Sequence, residues 1–310
     1  MQAVRIHRFG DPEVLQIEEV PTPQPGPGEV LVRVEAAGVV ATDWLFRAGL
    51  MPGFLGLELP MTPGWDIAGV VETSGAGVDD FAPGTPVYAM LGGQGGYAEY
   101  AAVPAAMLAC RPEQLDAVAG AAVPLAACTA YKALVETAGL AAGQRVLIHG
   151  ASGGVGSFAV QIARAQGAYV FAAASTTKLD FVRSLGADEV IDHTAGPLAA
   201  AVGDLDVVFD TVGPAVQEKS FPLLKPGGVL VSVAGGQPPA AALAERYRVR
   251  GEFVGTEPNG ARLRSVSALI DAGKVRPFVD QVLPLTEVRR AHTLLQEGAV
   301  RGKIVLKIAP

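Results

Sequence analysis

The sequence predicts an α/β protein in two parts, a β-rich module of short strands followed by a doubly wound parallel sheet of six strands. Three observations predict it. The run Arg145 to His149 is apolar and β-branched, breaks at Gly150-Ala151-Ser152-Gly153-Gly154-Val155-Gly156, and continues into a stretch of helical period. A second apolar run, Ala168 to Ala174, follows after a crossover of the length a βαβ unit needs. Ahead of both, short alternating runs are separated by Gly and Pro.

From Met1 to about Arg111, Val14–Val20, Glu29–Glu35, Ile67–Glu72, Pro83–Met90 and Gly96–Val103 read as strands, with Pro21–Gly28 a stiff surface loop. Many short strands at near-regular spacing imply a barrel-like module. Asp43 is placed to cap a helix beginning at Trp44. Leu115 to Ala138 is Ala- and Leu-rich and helical in period, interrupted at Pro124.

The glycine turn after His149 suits a phosphate. Glycines let the backbone approach a pyrophosphate, and the new helix offers unpaired N–H groups and its positive dipole end. Val155, Phe158, Ala159, Ile162 and Ala163 fall on one helical face. Ser152, Gly153, Gly154 and Val155 are therefore cofactor-binding candidates, although Ala151 stands where the dinucleotide fingerprint has its first glycine.

Downstream, Lys178–Leu185 reads as a helix, and Glu189–Ile191, Leu205–Asp210, Gly228–Ala234 and Glu252–Gly255 as the remaining strands. Ligands on such sheets sit at the carboxyl ends of the strands. That selects Thr211 and Val212 in one loop, and Ala234 and Gly235 in another, to face the nicotinamide half of a dinucleotide. Beyond Ala261, a helix to Ala272, a strand Val279–Leu285, a helix Thr286–Glu297 and a strand Lys303–Ile308 resemble the first module. The expected division is 1–115, a first part of the β-rich domain; 116–258, the nucleotide domain; and 259–310, a return segment that completes the first and leaves a cleft, a common place for ligands.

Composition limits the function. The 310 residues carry a net charge of −7 with scattered Lys and Arg, which argues against nucleic acid. Two cysteines are too few for a disulfide framework or a Cys-rich zinc site, so a reduced cytoplasmic setting is expected. No signal-peptide core opens the chain, and the Ala-rich stretch after Ala117 is broken by Pro124 and Lys132. A soluble protein with no membrane partner is the expectation.

An NAD-selecting site places an Asp or Glu at the end of its second strand. Here that place reads Ala174-Ser175-Thr176-Thr177-Lys178. Hydroxyls and a cation in place of an acid favour a 2′-phosphate, hence NADPH, with Ser175 and Lys178 as its ligands. Lys178 also reads as a plain solvated lysine in a first helical turn.

The β module, the Gly-Gly-Val-Gly turn, Asp210-Thr-Val-Gly213, Leu224-Lys-Pro-Gly-Gly228 and the closing Arg301-Gly-Lys303 together resemble the medium-chain dehydrogenase/reductase superfamily, in its zinc-independent quinone oxidoreductase branch. The resemblance implies a GroES-like catalytic domain with a Rossmann domain. It implies that Thr129 touches the nicotinamide, that Val40 lines its substrate side, that His193 flanks the adenine ribose, and that Lys303 belongs to the cofactor site. Zinc-dependent relatives carry Cys, His and Cys in the segments that here hold Val40, Trp65 and Leu125. No metal is expected, and these three residues are assigned to the substrate pocket.

Without a metal to polarise a carbonyl, already electrophilic substrates need less help. The expected reaction is NADPH-dependent reduction of a quinone or α,β-unsaturated carbonyl. Alternatives are an enoyl-thioester reductase of fatty-acid or polyketide assembly and a weakly active NADPH-binding regulatory protein. No proton donor is evident. Asp43 and Tyr97 are the candidates carried forward, with Tyr88 and Tyr131 behind them. The strand near Phe253, ending the sheet, is expected to pair with its copy in a homodimer.

Overall fold

The computed structural model describes residues 1–51, 58–196, 198 and 201–308. They fold as two compact units, one of Met1–Leu125, Glu257–Asp271 and Pro277–Pro310, the other of Ala126–Thr256 and Ala272–Arg276.

The first unit opens with β1 (Gln2–Arg5) antiparallel to β2 (Gln16–Glu19). β3 (Glu29–Val39) is its longest strand and pairs with both β4 (Asp66–Ser74) and β6 (Tyr100–Pro104). β5 (Pro86–Met90) and β7 (Leu108–Cys110) continue the sheet beyond β4. Alternation along β3 divides its burden between two cores. Val30, Val32 and Val34 pack with Ile67, Val71 and Val87, while Ala37 and Val39 on the opposite face join Ile6, Leu15 and Tyr97.

β3 runs directly into the helix Ala41–Arg47. This helix begins three residues before the expected Trp44, because Asp43 caps it from inside: its Oδ2 accepts the amide of Val40, the N-cap residue, at 2.9 Å. The Ala-rich stretch divides as its composition implies, into helices Ala117–Ala121 and Pro124–Tyr131 and a π-helical turn Lys132–Thr137. Pro124 opens the second helix, where its missing N–H costs no hydrogen bond.

The second unit is built on β8 (Arg145–Ile148), β9 (Tyr169–Ala174), β10 (Glu189–Asp192), β11 (Leu205–Asp210), β12 (Leu224–Ser232) and β13 (Arg250–Phe253). All pairs are parallel, in the order β10-β9-β8-β11-β12-β13. The order reverses between β8 and β11, the switch point where such sheets bind ligands. Between β8 and β9 the helix Gly154–Ala165 buries Phe158, Ala159, Ile162 and Ala163 completely.

The return segment supplies β14 (Val279–Pro284) and β15 (Lys303–Lys307), which join the first unit's sheet in the order β14-β15-β3-β4-β5-β7. β1 and β7 were not anticipated. Both are short, and β7 has too few residues to establish alternation. No helix among the described residues is long and apolar enough to cross a membrane.

Candidate functional site

β8 ends in a turn made by Gly150. Its φ of +66° is left-handed, and a Cβ there would lie 2.3 Å from Thr211 Oγ1, so glycine is required twice over. The tight turn therefore falls one residue before Ala151, which is why alanine is tolerated at the fingerprint position; Ala151 is buried and its amide donates to Ala173 at 3.2 Å. Within the helix Gly154–Ala165, a Cβ on Gly156 would come 2.1 Å from the Gly150 carbonyl oxygen. Gly153 caps the helix with extended backbone and no side-chain hydrogen bond, and a Cβ there would meet only that same oxygen, at 3.3 Å. The first intrahelical bond runs from the Ser157 amide to the Gly153 carbonyl at 2.9 Å, so the amides of Gly154, Val155 and Gly156 have no intrahelical acceptor. An uncapped helix start floored by glycine fits the pyrophosphate of a dinucleotide.

Thr211 hooks the neighbouring strand end to this turn, its Oγ1 donating to the His149 carbonyl at 2.9 Å. Val212 stands out with 57% of its surface exposed, and Ala234 and Gly235 follow β12. Thr129, in the helix Pro124–Tyr131, is 6% exposed. His149 is a buried group that sequence reasoning missed, since it closes an apolar run. Its Nε2 lies 2.8 Å from Ser220 Oγ, and burial lowers its pKa to about 4.

At the end of β9, Ser175 caps a short 3₁₀ turn, Thr176–Lys178, and the His193 amide donates to the Ala174 carbonyl at 3.2 Å. Ser175, Lys178 and His193 thus sit on two adjacent strand ends. The loop after β9 carries no acid, yet β10 brings one. Thr176 Oγ1 donates to Asp192 Oδ2 at 2.5 Å, and Thr194 donates to Asp192 Oδ1 from its amide and its hydroxyl, at 2.9 and 2.6 Å. Hydrogen bonds from Thr176 and then Thr194 hold this carboxyl below the usual carboxylate range. Scanning only the segment after the second strand could not find it, because strand pairing delivers it.

In the first unit, Val40, Trp65 and Met90 form one buried cluster with Leu125 packed against it. Val40, Trp65 and Leu125 are the three residues that the resemblance sets at the zinc-ligand places. None of their side chains offers a ligand atom of the kind zinc takes, and among the described residues no group of three His, Cys, Asp or Glu is arranged to hold a metal ion. Zinc does not fit this site.

Two buried carboxylates brace that cluster by its backbone. Asp43 Oδ2 accepts the Val40 amide and, at 2.7 Å, the Tyr97 hydroxyl. Asp66 Oδ1 accepts the Leu125 amide at 2.8 Å, and its Oδ2 lies 3.3 Å from Lys303 Nζ. Lys303, expected at the cofactor, is itself 3% exposed and spends its ammonium on Asp66, as a buried carboxylate demands. Burial pushes Asp43 up to about 7, against the Tyr97 and Val40 hydrogen bonds; it pushes Asp66 up to about 6, against Lys303. Tyr97 is raised well above its ordinary value by burial and then by Asp43. Asp43 and Tyr97, the proton-donor candidates, are 1% and 0% exposed and committed to each other, which makes them supports of Val40. Tyr88 is likewise buried, its hydroxyl 2.6 Å from Ser267 Oγ, and Tyr131 closes its helix half-buried.

Residues 26–113 match the family described as alcohol dehydrogenase GroES-like domain, and residues 185–306 the one described as zinc-binding dehydrogenase. A quinone oxidoreductase of Sus scrofa is 34% identical over 99% of this chain and 97% of that protein. An NADPH-dependent alkenal/one oxidoreductase of Arabidopsis thaliana, chloroplastic, is 36% identical over 97% of this chain and 78% of its own length. Among solved structures, a quinone oxidoreductase from Coxiella burnetii superposes with a TM-score of 0.92 at 31% identity, covering 100% of this chain and 99% of that one.

Proposed function

Because the chain belongs to the quinone oxidoreductase branch of the medium-chain dehydrogenase/reductase superfamily, we propose that it is a zinc-independent reductase of quinones and α,β-unsaturated carbonyls that draws on NADPH. The reading is carried by the presence in one chain of a glycine-floored, uncapped helix start and of an apolar cluster, Val40, Trp65, Met90 and Leu125, where the resemblance sets metal ligands.

When bound, the reduced nicotinamide supplies a hydride. The chain does the rest by binding and orientation. Ser152, Gly153, Gly154 and Val155 hold the pyrophosphate, Thr129, Thr211, Val212, Ala234 and Gly235 hold the nicotinamide half, and Ser175, Lys178 and His193 hold the 2′-phosphate end. Val40, Trp65 and Leu125 offer the acceptor an apolar wall that excludes water and fixes it by shape. A conjugated acceptor spreads the arriving charge onto its own oxygen, so no Lewis acid is required of the protein. With Asp43 and Tyr97 sealed behind Val40, solvent delivers the proton.

Lys178 and Ser175 support the phosphorylated nucleotide, and Asp192 opposes it. The test is a panel of quinones, enones and acyl thioesters offered with NADPH and with NADH. Turnover of quinones or enones with higher kcat/KM for NADPH supports the reading; turnover confined to acyl thioesters, or binding without turnover, refutes it. The edge strand β13 pairs only with β12 among the described residues, and supports a homodimer joined strand to strand, read by light scattering.

A further inference from the structure

Asp210 closes β11 and is completely buried, and among the described residues its hydrogen bonds come from backbone amides, Gln217 and Ser232, with no Lys or Arg. Its charge is met by four neutral donors. Oδ1 accepts the amides of Val212 at 2.8 Å and Gly213 at 3.0 Å; Oδ2 accepts Gln217 Nε2 and Ser232 Oγ, each at 2.8 Å. Ser232 closes β12 and passes the connection on, since its Oγ, while donating to Asp210, accepts the Ala234 amide at 3.1 Å. Gln217 Nε2 closes the ring with a bond to Ser232 Oγ at 2.9 Å.

One carboxylate thereby fixes both loops assigned to the nicotinamide half, the one through Val212 and Gly213 and the one through Ala234. The residue after it, Thr211, fastens the same loop to the strand end that begins the phosphate turn. Beside the network lies a cavity of about 230 Å³ whose lining includes Pro214, Gln217, Ala234 and Gly235. A buried anion without a cation is an expensive way to tie two turns together, and charge-assisted bonds are the stiffer ones it yields.

We propose that Asp210 is a positioning residue for the nicotinamide end of the cofactor, setting the geometry of both loops without touching the ring itself. The proposal rests on the dinucleotide reading above and names the residue through which that site is aligned. It makes a directional prediction: the adenine end, held by Ser175, Lys178 and the cradle, is indifferent to Asp210, and the nicotinamide end is not.

The experiment measures, for the full-length Asp210→Asn protein, affinity for NADPH and for 2′-phospho-ADP-ribose, which keeps the adenine end and lacks the nicotinamide. Expected are a roughly tenfold weaker NADPH affinity and a comparable fall in kcat, the scale of one lost charge-assisted bond, with 2′-phospho-ADP-ribose affinity unchanged. The asparagine of that variant turns an N–H₂ toward Gln217, so Asp210→Asn with Gln217→Glu returns a carboxylate to the ring from the other side, and partial recovery of NADPH affinity is expected. Ser232→Ala, which removes the bridge and leaves the buried carboxylate in place, gives a milder shift of the same sign and serves if the Asp210→Asn variant does not fold. Equal weakening of both ligands, or no weakening of NADPH in either variant, overturns the proposal. A wild-type protein that binds neither NADPH nor NADH instead overturns the dinucleotide reading beneath it.

Discussion

Asp192 is a carboxylate that strand pairing carries to Thr176, beside the two side chains assigned to a 2′-phosphate. A negative charge there repels the phosphate and takes up a hydroxyl that would otherwise donate to it. Asp192→Asn is expected to raise the NADPH-to-NADH ratio of kcat/KM about fivefold, and Lys178→Gln to lower it by a similar factor, the scale of partly exposed ion interactions. Equal ratios in wild type and both variants would remove this region from cofactor choice. Lys303 illustrates the opposite case, a cation withdrawn from solvent to neutralise Asp66. Lys303→Met strands that carboxylate, with an expected loss of about 3 to 5 kcal/mol in urea denaturation, and adding Asp66→Asn recovers most of it. At this scale the sequence was legible where spacing is local, as in the helix start at Gly153 and Gly154, and illegible where a partner comes from a distant strand. Nothing near Lys303 in the chain points to Asp66.

At the scale of elements, the strand–turn–helix from Arg145 to Ala165 was legible because β-branched residues, glycines and a helical apolar face agree with one another. The turn's dependence on Gly156 is steric, with the Gly150 carbonyl 2.1 Å from where a Cβ would be. Gly156→Ala is expected to displace the helix start and abolish measurable NADPH binding, read by fluorescence titration, while the far-ultraviolet circular dichroism stays close to wild type. Retained affinity would mean that the cradle is not where the pyrophosphate sits. The helix Ala41–Arg47 was placed three residues late, because Asp43 reads as a cap ahead of a helix and in fact reaches back from inside one. β1 and β7 were missed for a related reason: each has few residues, and tertiary pairing rather than local pattern makes it a strand.

Across the whole molecule, buried ionisable groups set opposing responses to pH. Asp43 and Asp66 bind a proton in the folded protein up to about 7 and about 6, well above the ordinary carboxylate value of 3.8, so their stability contribution is full at low pH and is lost as pH rises through that window. His292, completely buried with neither ring nitrogen hydrogen-bonded, stays neutral down to about 3, and His149 to about 4; burial causes both shifts, and each contribution is full above the ordinary 6.5 and lost as pH falls below it. Each group tilts the stability curve by about 1.4 kcal/mol per pH unit at most, and between pH 4 and 6 the tilts oppose. Asp43→Asn should therefore make stability rise more steeply with pH over that range and His292→Phe less steeply, as read by melting temperature; parallel curves for both would show that neither group titrates as described. The α/β class was readable because short alternating strands precede a strand–turn–helix–strand run, whereas the buried charge pattern was not, since it depends on which side chains the fold seals from water. The proposed reduction needs no zinc, since Val40, Trp65 and Leu125 offer no side-chain ligand atom for it. The measurement that meets this claim head-on is turnover of a quinone with NADPH by protein stripped with a chelator and checked for metal content: undiminished rates without zinc are predicted, and activity that disappears on stripping and returns with zinc, directed at primary alcohols, would contradict it.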